Sequence, residues 1–214
     1  MSSSKNRLDS LDIKYDIFNG VDGSVLDQVW SKMNNPYFTN PSYIGCAISH
    51  LSIYQDAISC GYSKILIIED DNLINKNIHT IFDSLDIPEW KDIFYLGYIP
   101  LNDDCSMWDY RFGINSNNVI NSNLFRPSNL WGLFAYGLGI DLMKELIDVY
   151  QKEFPMEIDR YLVTEVQKRG NSLAIAPQLF CCQDDSFSDN LGFVPPNMRE
   201  KSIDSRLANL DDYL

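Results

Sequence analysis

The sequence lacks most of the features that would take it out of the ordinary globular class. No apolar run approaches the roughly 20 residues that span a bilayer as a helix. The opening stretch, MSSSKNRLDSLDIKYD, has no apolar core of a signal peptide. A cytoplasmic protein with no membrane span is therefore expected. Basic residues are scarce: 17 Lys and Arg against 30 Asp and Glu leave a net charge of −13. That argues against nucleic acid as a partner, because phosphate backbones are gripped by basic patches. An anionic small ligand such as a nucleotide would need a metal or local basic groups to offset this field. The five cysteines include no C-x-x-C pair, and His50 and His79 are the only histidines. Reduced, mostly buried thiols and no zinc site are expected. No Asn-x-Ser/Thr sequon is present either, since Asn40 is followed by Pro41.

What is present suits one domain: 214 residues, 45% hydrophobic and 13% aromatic, can enclose a sizeable core. Residues 14–21 alternate like a strand, and 24–33 read as a short amphipathic helix capped by Asp22 or Ser24. In 43–62, Ile44, Ile48, Leu51, Tyr54 and Ile58 recur at helical spacing, with Gly61 as the cap. Residues 63–70 (SKILIIED) form an apolar strand of the buried, parallel-sheet kind. A helix is predicted over 78–85, a strand over 90–100, and a loop or small hairpin region over 101–130. Residues 130–139 read as a strand or turn segment, 140–154 and 158–170 as helices, and 172–180 as a last strand before a loop-like tail. Strands alternating with helices predict an α/β fold with a mainly parallel central sheet.

The chemistry concentrates behind the strand 63–70, where Glu69, Asp70 and Asp71 follow four aliphatic side chains. Three adjacent ionised carboxylates repel one another unless a cation relieves them. In an open α/β sheet, ligands sit beyond the carboxyl ends of strands. If the backbone stays extended there, Glu69 and Asp71 share a face. Hard oxygen ligands suit Mg²⁺ or Mn²⁺, with phosphate oxygens completing the shell; a solvated acidic turn is the plain alternative. A bacterial receiver domain also opens on a strand ending in acids. It is excluded here, because the next strand ends FYLGYIP without an acid and the chain has no Lys-Pro.

Taken in order, IFNGVDG (17–23), IGCAISHLSIYQ (44–55), ILIIEDDN (65–72), DIFYLG (92–97), GLFAYGL (132–138), PMEIDRYL (155–162) and APQLFCCQ with its later Ser-Asp (176–189) resemble glycosyltransferase family 25. That family contains lipopolysaccharide and procollagen galactosyltransferases. Gly45-Cys46, Ser49-His50 and the acidic triplet carry most of the signal, and the resemblance covers about residues 15 to 190. It implies a single nucleotide-sugar transferase domain of the GT-A type over 1–214, with 191–214 as a tail. It implies inverting transfer of galactose or glucose from a UDP-sugar to a glycan or protein hydroxyl. Glu69, Asp70 and Asp71 stand in for the family's Asp-x-Asp metal motif and would hold Mn²⁺ or Mg²⁺.

An inverting displacement also needs a base for the acceptor hydroxyl. Asp159 is the first candidate and Glu157 the second; a first-turn helix acid is the alternative for Asp159. Gly45, Ser49 and His50 match the family's segment and would bind the donor, although the favoured reading of His50 is a hydrogen-bonded structural histidine. Ser188 and Asp189 match a late Ser-Asp and could complete the metal or phosphate site, or form a polar turn. Tyr136 and Trp131 could stack on a sugar or uracil face, or belong to the core. The family's usual first strand is missing ahead of NRLDSLDIKYD, and Tyr43 stands where the family often has an acid. A non-catalytic glycosyltransferase-like binding module or subunit is therefore the alternative function.

Overall fold

The computed structural model describes residues 2–26, 41–100, 118–182 and 212–213. In chain order the elements are α1 (Ser2–Ser10), a 3-10 turn Gly23–Leu26, α2 (Pro41–Ser59), β1 (Lys64–Ile68), β2 (Asn72–Ile74), α3 (Ile78–Asp83) and β3 (Ile93–Pro100). They continue with β4 (Leu124–Phe125), β5 (Leu130–Gly139), α4 (Ile140–Lys152), α5 (Ile158–Tyr161), β6 (Leu173–Ile175) and β7 (Phe180–Cys182). A π turn Leu162–Val166 and a 3-10 turn Gln167–Arg169 prolong α5.

Strand β5 organises the sheet. It is the longest of the described strands and is buried along nearly all its length, so it takes an interior place, with β1 on one side and β3 on the other. The order is β1-β5-β3-β6-β4, with β2 and β7 in a separate pair. Both of β5's pairings are antiparallel, from Lys64↔Gly139 to Ile68↔Ala135 on one side and from Ile93↔Leu138 on the other. Among the described strands only β3 and β6 run parallel, at Phe94↔Leu173 and Tyr95↔Ala174; β4 pairs antiparallel with β6. The α/β class holds, but the expectation of a mainly parallel sheet is corrected to a mostly antiparallel one. The apolar run of β1 suggested a strand covered on both faces. It is instead an edge strand whose Leu66 is 49% exposed.

Alternation along the strands sorts side chains to two cores. Ile93 and Tyr95 join Tyr136 and Leu138 beneath α2, α4 and α5, with Tyr54, Leu142, Leu146 and Leu162. Phe94 and Leu96 point the other way, to Leu8 of α1, Ile78 of α3, Phe134 and Phe180. Each such buried side chain contributes about 1.5–3 kcal/mol, so both layers of helix are tied to the sheet. Gln167 sits in the first core, fully partnered: it accepts from Leu130 N at 3.0 Å and donates to Leu130 O at 2.6 Å and Tyr95 Oη at 2.8 Å.

The local sequence signals have mixed outcomes in the fold. Helix α2 ends as its pattern predicts: Gly61 has φ +79, with Gly61 N bonded to Ile58 O and Tyr62 N to Ala57 O, a Schellman arrangement. Residues 14–21 are corrected from strand to irregular chain, since no strand among the described residues pairs with them and Ile17 and Phe18 lie exposed. The helix expected at 24–33 begins as the 3-10 turn and then lies outside the described residues. The strand expected at 172–180 is two strands, one per sheet, interrupted at Pro177, which has no N–H to offer a ladder.

Candidate active site

The acidic triplet closes β1, but not as an extended end. The strand stops at Ile68, residues 70–71 turn, and Asn72 begins β2. This corrects the picture of Glu69 and Asp71 sharing one face of a continuing strand. The turn is held by groups that sequence reasoning did not single out. Asn72, fully buried, donates from Nδ2 to Glu69 O at 2.9 Å and to Phe134 O at 2.8 Å. From α1, Arg7 Nη1 donates to Asn72 O at 2.8 Å, and the Ser4 hydroxyl donates to Asp70 O. The Asn following the triplet was the available signal, because Asn side chains close turns by bonding nearby backbone.

Within the turn, Asp71 is the acid whose Oδ1 is buried and lacks a hydrogen-bond partner. Burial, with Glu69 and Asp70 alongside, pushes its carboxyl up to about 6. An unpartnered carboxylate oxygen beside two more acids offers the hard oxygen ligands that a divalent cation takes, although the three carboxylates do not converge into a three-ligand cluster in this structure. In chemical type the residues present fit Mn²⁺ or Mg²⁺.

A second acidic pair stands at the start of α5. Glu157 is the N-cap residue, and its Oε2 accepts from Arg160 Nε at 3.0 Å. Asp159 lies in the first turn, where Oδ1 accepts from Arg160 N at 2.8 Å. Burial pushes the Asp159 carboxyl up to about 6; Glu157 and Glu69 push the same way, against the pull of Arg160. The influence of Glu69 puts Asp159 within electrostatic reach of the acidic turn, although the two are remote in sequence. Tyr43, in the first turn of α2, faces the same pair: burial, Glu157 and Asp159 raise its hydroxyl's pKa. Trp131 borders the site, its ring centroid 5.6 Å from the Arg160 guanidinium and its indole N–H on Asn129 Oδ1 at 2.8 Å.

Helix α2 supplies the remaining matched residues. His50 is buried, with Nε2 at 3.2 Å from Glu69 Oε1 and Nδ1 at 2.6 Å from Tyr136 Oη, which in turn meets Tyr54 Oη at 2.8 Å. Burial pulls the imidazole pKa down, but Cys46 and Glu69 outweigh it and hold it above the usual histidine range. Tyr136 is thus a core residue that orients His50, and its face is unavailable to a sugar. Ser49 and Gly45 are engaged by the segment ahead of α2. Ser49 Oγ accepts from Val21 N and donates to Gly45 O, both at 2.7 Å. A Cβ on Gly45 would lie 2.6 Å from Gly23 N and 2.7 Å from Val21 O. Gly45→Ala is therefore expected to destabilise the protein by about 1–2 kcal/mol in urea unfolding. Overpacking against rigid backbone exceeds the roughly 1 kcal/mol of helix propensity gained. Unchanged stability would mean that the 20–23 segment is not seated on α2. Ser188 and Asp189 lie outside the described residues.

An acidic turn at a strand end and an acidic pair at the start of a distant helix thus come within electrostatic reach of each other. A comparison with known families supplies the class. Residues 2–162 match the family described as glycosyltransferase family 25 (LPS biosynthesis protein), a span that takes in α2, the acidic turn and Asp159. The protein belongs to glycosyltransferase family 25. No curated protein matches the chain. Among the described residues no helix is long and apolar enough to cross a membrane.

Proposed function

We propose that this protein is an inverting hexosyltransferase of the GT-A kind, a single domain that moves galactose or glucose from a UDP-sugar to a hydroxyl of a glycan or protein. The observation that carries this reading is the unpartnered, buried Oδ1 of Asp71, whose charged neighbours are the acids Glu69 and Asp70. Together with the family membership it favours an enzyme over a binding module, since a buried carboxylate oxygen without a partner is costly unless a ligand relieves it.

In this reading Glu69, Asp70 and Asp71 would hold Mn²⁺ or Mg²⁺, which would offset the diphosphate and the charge that develops on departing UDP. Asp159 takes the proton of the acceptor hydroxyl. The freed oxygen attacks the anomeric carbon from the face opposite the phosphate. The carbon–phosphate oxygen bond breaks with its electron pair going to UDP, so configuration inverts. A carboxyl pushed up to about 6 is a stronger base than an ordinary aspartate and is still ionised at neutral pH. Glu157, tied to Arg160, holds that end of the site in place. Release of UDP from UDP-galactose or UDP-glucose, followed with Mn²⁺ and then with EDTA, tests the proposal. Metal-dependent release is expected, and binding without any release would favour the binding-module reading.

A further inference from the structure

We propose that Cys46, His50 and Glu69 form a second cation site, one that takes a thiophilic divalent ion of the zinc type rather than the hard ion suited to the acidic turn. The inference does not depend on the glycosyltransferase reading, because it concerns three ligand atoms and no sugar; Glu69 is common to this site and the acidic turn, so ions at the two compete for its carboxylate. Those atoms, the Cys46 sulfur, His50 Nε2 and a Glu69 oxygen, all lie within 4.8 Å of one another. Zinc bonds of roughly 2.0 Å to nitrogen and oxygen and 2.3 Å to sulfur place tetrahedral ligands about 3.3–3.6 Å apart. His50 Nε2 and Glu69 Oε1 already stand at 3.2 Å. Rotation of the Cys46 and Glu69 side chains closes the remainder.

The surroundings are those of a metal-bound histidine. Such an imidazole is usually oriented by a partner on its other nitrogen. Here Tyr136 Oη sits 2.6 Å from Nδ1 and is itself bonded to Tyr54 Oη. Donation from Nδ1–H to Tyr136 leaves Nε2 free to ligate. Cys46 and His50 project from successive turns of one 19-residue helix, α2, so two ligands are held by a rigid element. The third comes from the end of β1. Cys46 is a free thiol and half-buried, and the Glu69 side chain is 38% exposed, which leaves a route in and a fourth position for water. A thiolate and a neutral imidazole are the ligating forms, so affinity falls as pH falls. The sequence alone hid the site because only two of its ligands are local, and a helical Cys-x-x-x-His pair is too common to signal a metal.

Cobalt(II), a spectroscopic substitute for zinc, gives the test on the purified chain after chelator treatment. Stoichiometric binding is expected, with a thiolate-to-cobalt charge-transfer band that added Zn²⁺ abolishes. Cys46→Ser should remove the band, whereas Cys60→Ser, at an exposed thiol distant in sequence, should keep it. Glu69→Gln, accompanied by a melting curve because Glu69 partners buried His50, should weaken zinc at least about tenfold by calorimetry. A band that survives Cys46→Ser, no band in the unmutated chain, or equal zinc affinity in Glu69→Gln would overturn the proposal.

Discussion

Asp159→Asn is expected to leave UDP-sugar affinity nearly intact while turnover falls by about 10²–10⁴-fold, the range for removal of a general base. The fold should tolerate the change. An asparagine Oδ1 can accept the same bond from Arg160 N, and the isosteric amide keeps the packing at the start of α5. The pH profile separates a base from a merely structural acid. The folded pKa of Asp159 is raised to about 6, so its ionised form accumulates as pH rises through 6, and turnover should climb over that range. The variant should lose that limb. Stability moves the opposite way: a carboxyl with a raised folded pKa binds its proton more tightly than in the unfolded chain. Its contribution is therefore present at low pH and is lost as pH rises from about 4 to about 6. Undiminished turnover by a folded variant would transfer the role of base to Glu157.

Asp71→Asn is expected to make the protein more stable and, at the same time, to abolish metal-dependent UDP binding. Raised to about 6 by burial and by Glu69 and Asp70, the Asp71 carboxylate is a destabilising charge at pH 7.5. A tenfold change in proton affinity on folding corresponds to about 1.4 kcal/mol. Residual hydration reduces the total, so a gain of about 1–2 kcal/mol in EDTA is expected for the neutral amide, fading as pH falls through the interval from 6 to 4. Divalent metal should invert the ranking. At a metal concentration of 100 Kd the unmutated protein gains about 2.7 kcal/mol by mass action, and the variant little. Calorimetric titration of UDP with Mn²⁺ and then with EDTA reads the same interaction directly. Equal UDP affinity in the two conditions would remove the metal from the account.

How much of this was legible in the sequence depends on how local each signal is. The helical spacing from Ile44 to Ile58 and the left-handed cap at Gly61 are properties of one segment, and α2 follows them. The position of Glu69, Asp70 and Asp71 behind an aliphatic strand was likewise readable. Non-local features were not. The apolar run of β1 could not reveal that β5 enters between it and β3, because insertion is decided by which strand can be covered on both faces. The turn at 70–71 depends on Asn72 reaching Phe134 O across the sheet and on Arg7 arriving from α1. Gly45 and Ser49 matched the family's pocket segment in sequence; in the fold they seat the segment 20–23 against α2. Tyr43 carried no sequence signal beyond standing where an acid is common, yet it comes to rest beside Glu157 and Asp159.

The most direct measurement of the central claim is UDP release from UDP-galactose and UDP-glucose by the purified chain, with glycan and hydroxylysine-peptide acceptors. It requires parallel reactions in Mn²⁺ and in EDTA and identification of the product anomer by NMR. The account predicts metal-dependent release that rises as pH passes about 6, with the hexose transferred at inverted configuration. Retained configuration, or UDP bound but never released from either donor with any acceptor or with water, would contradict it.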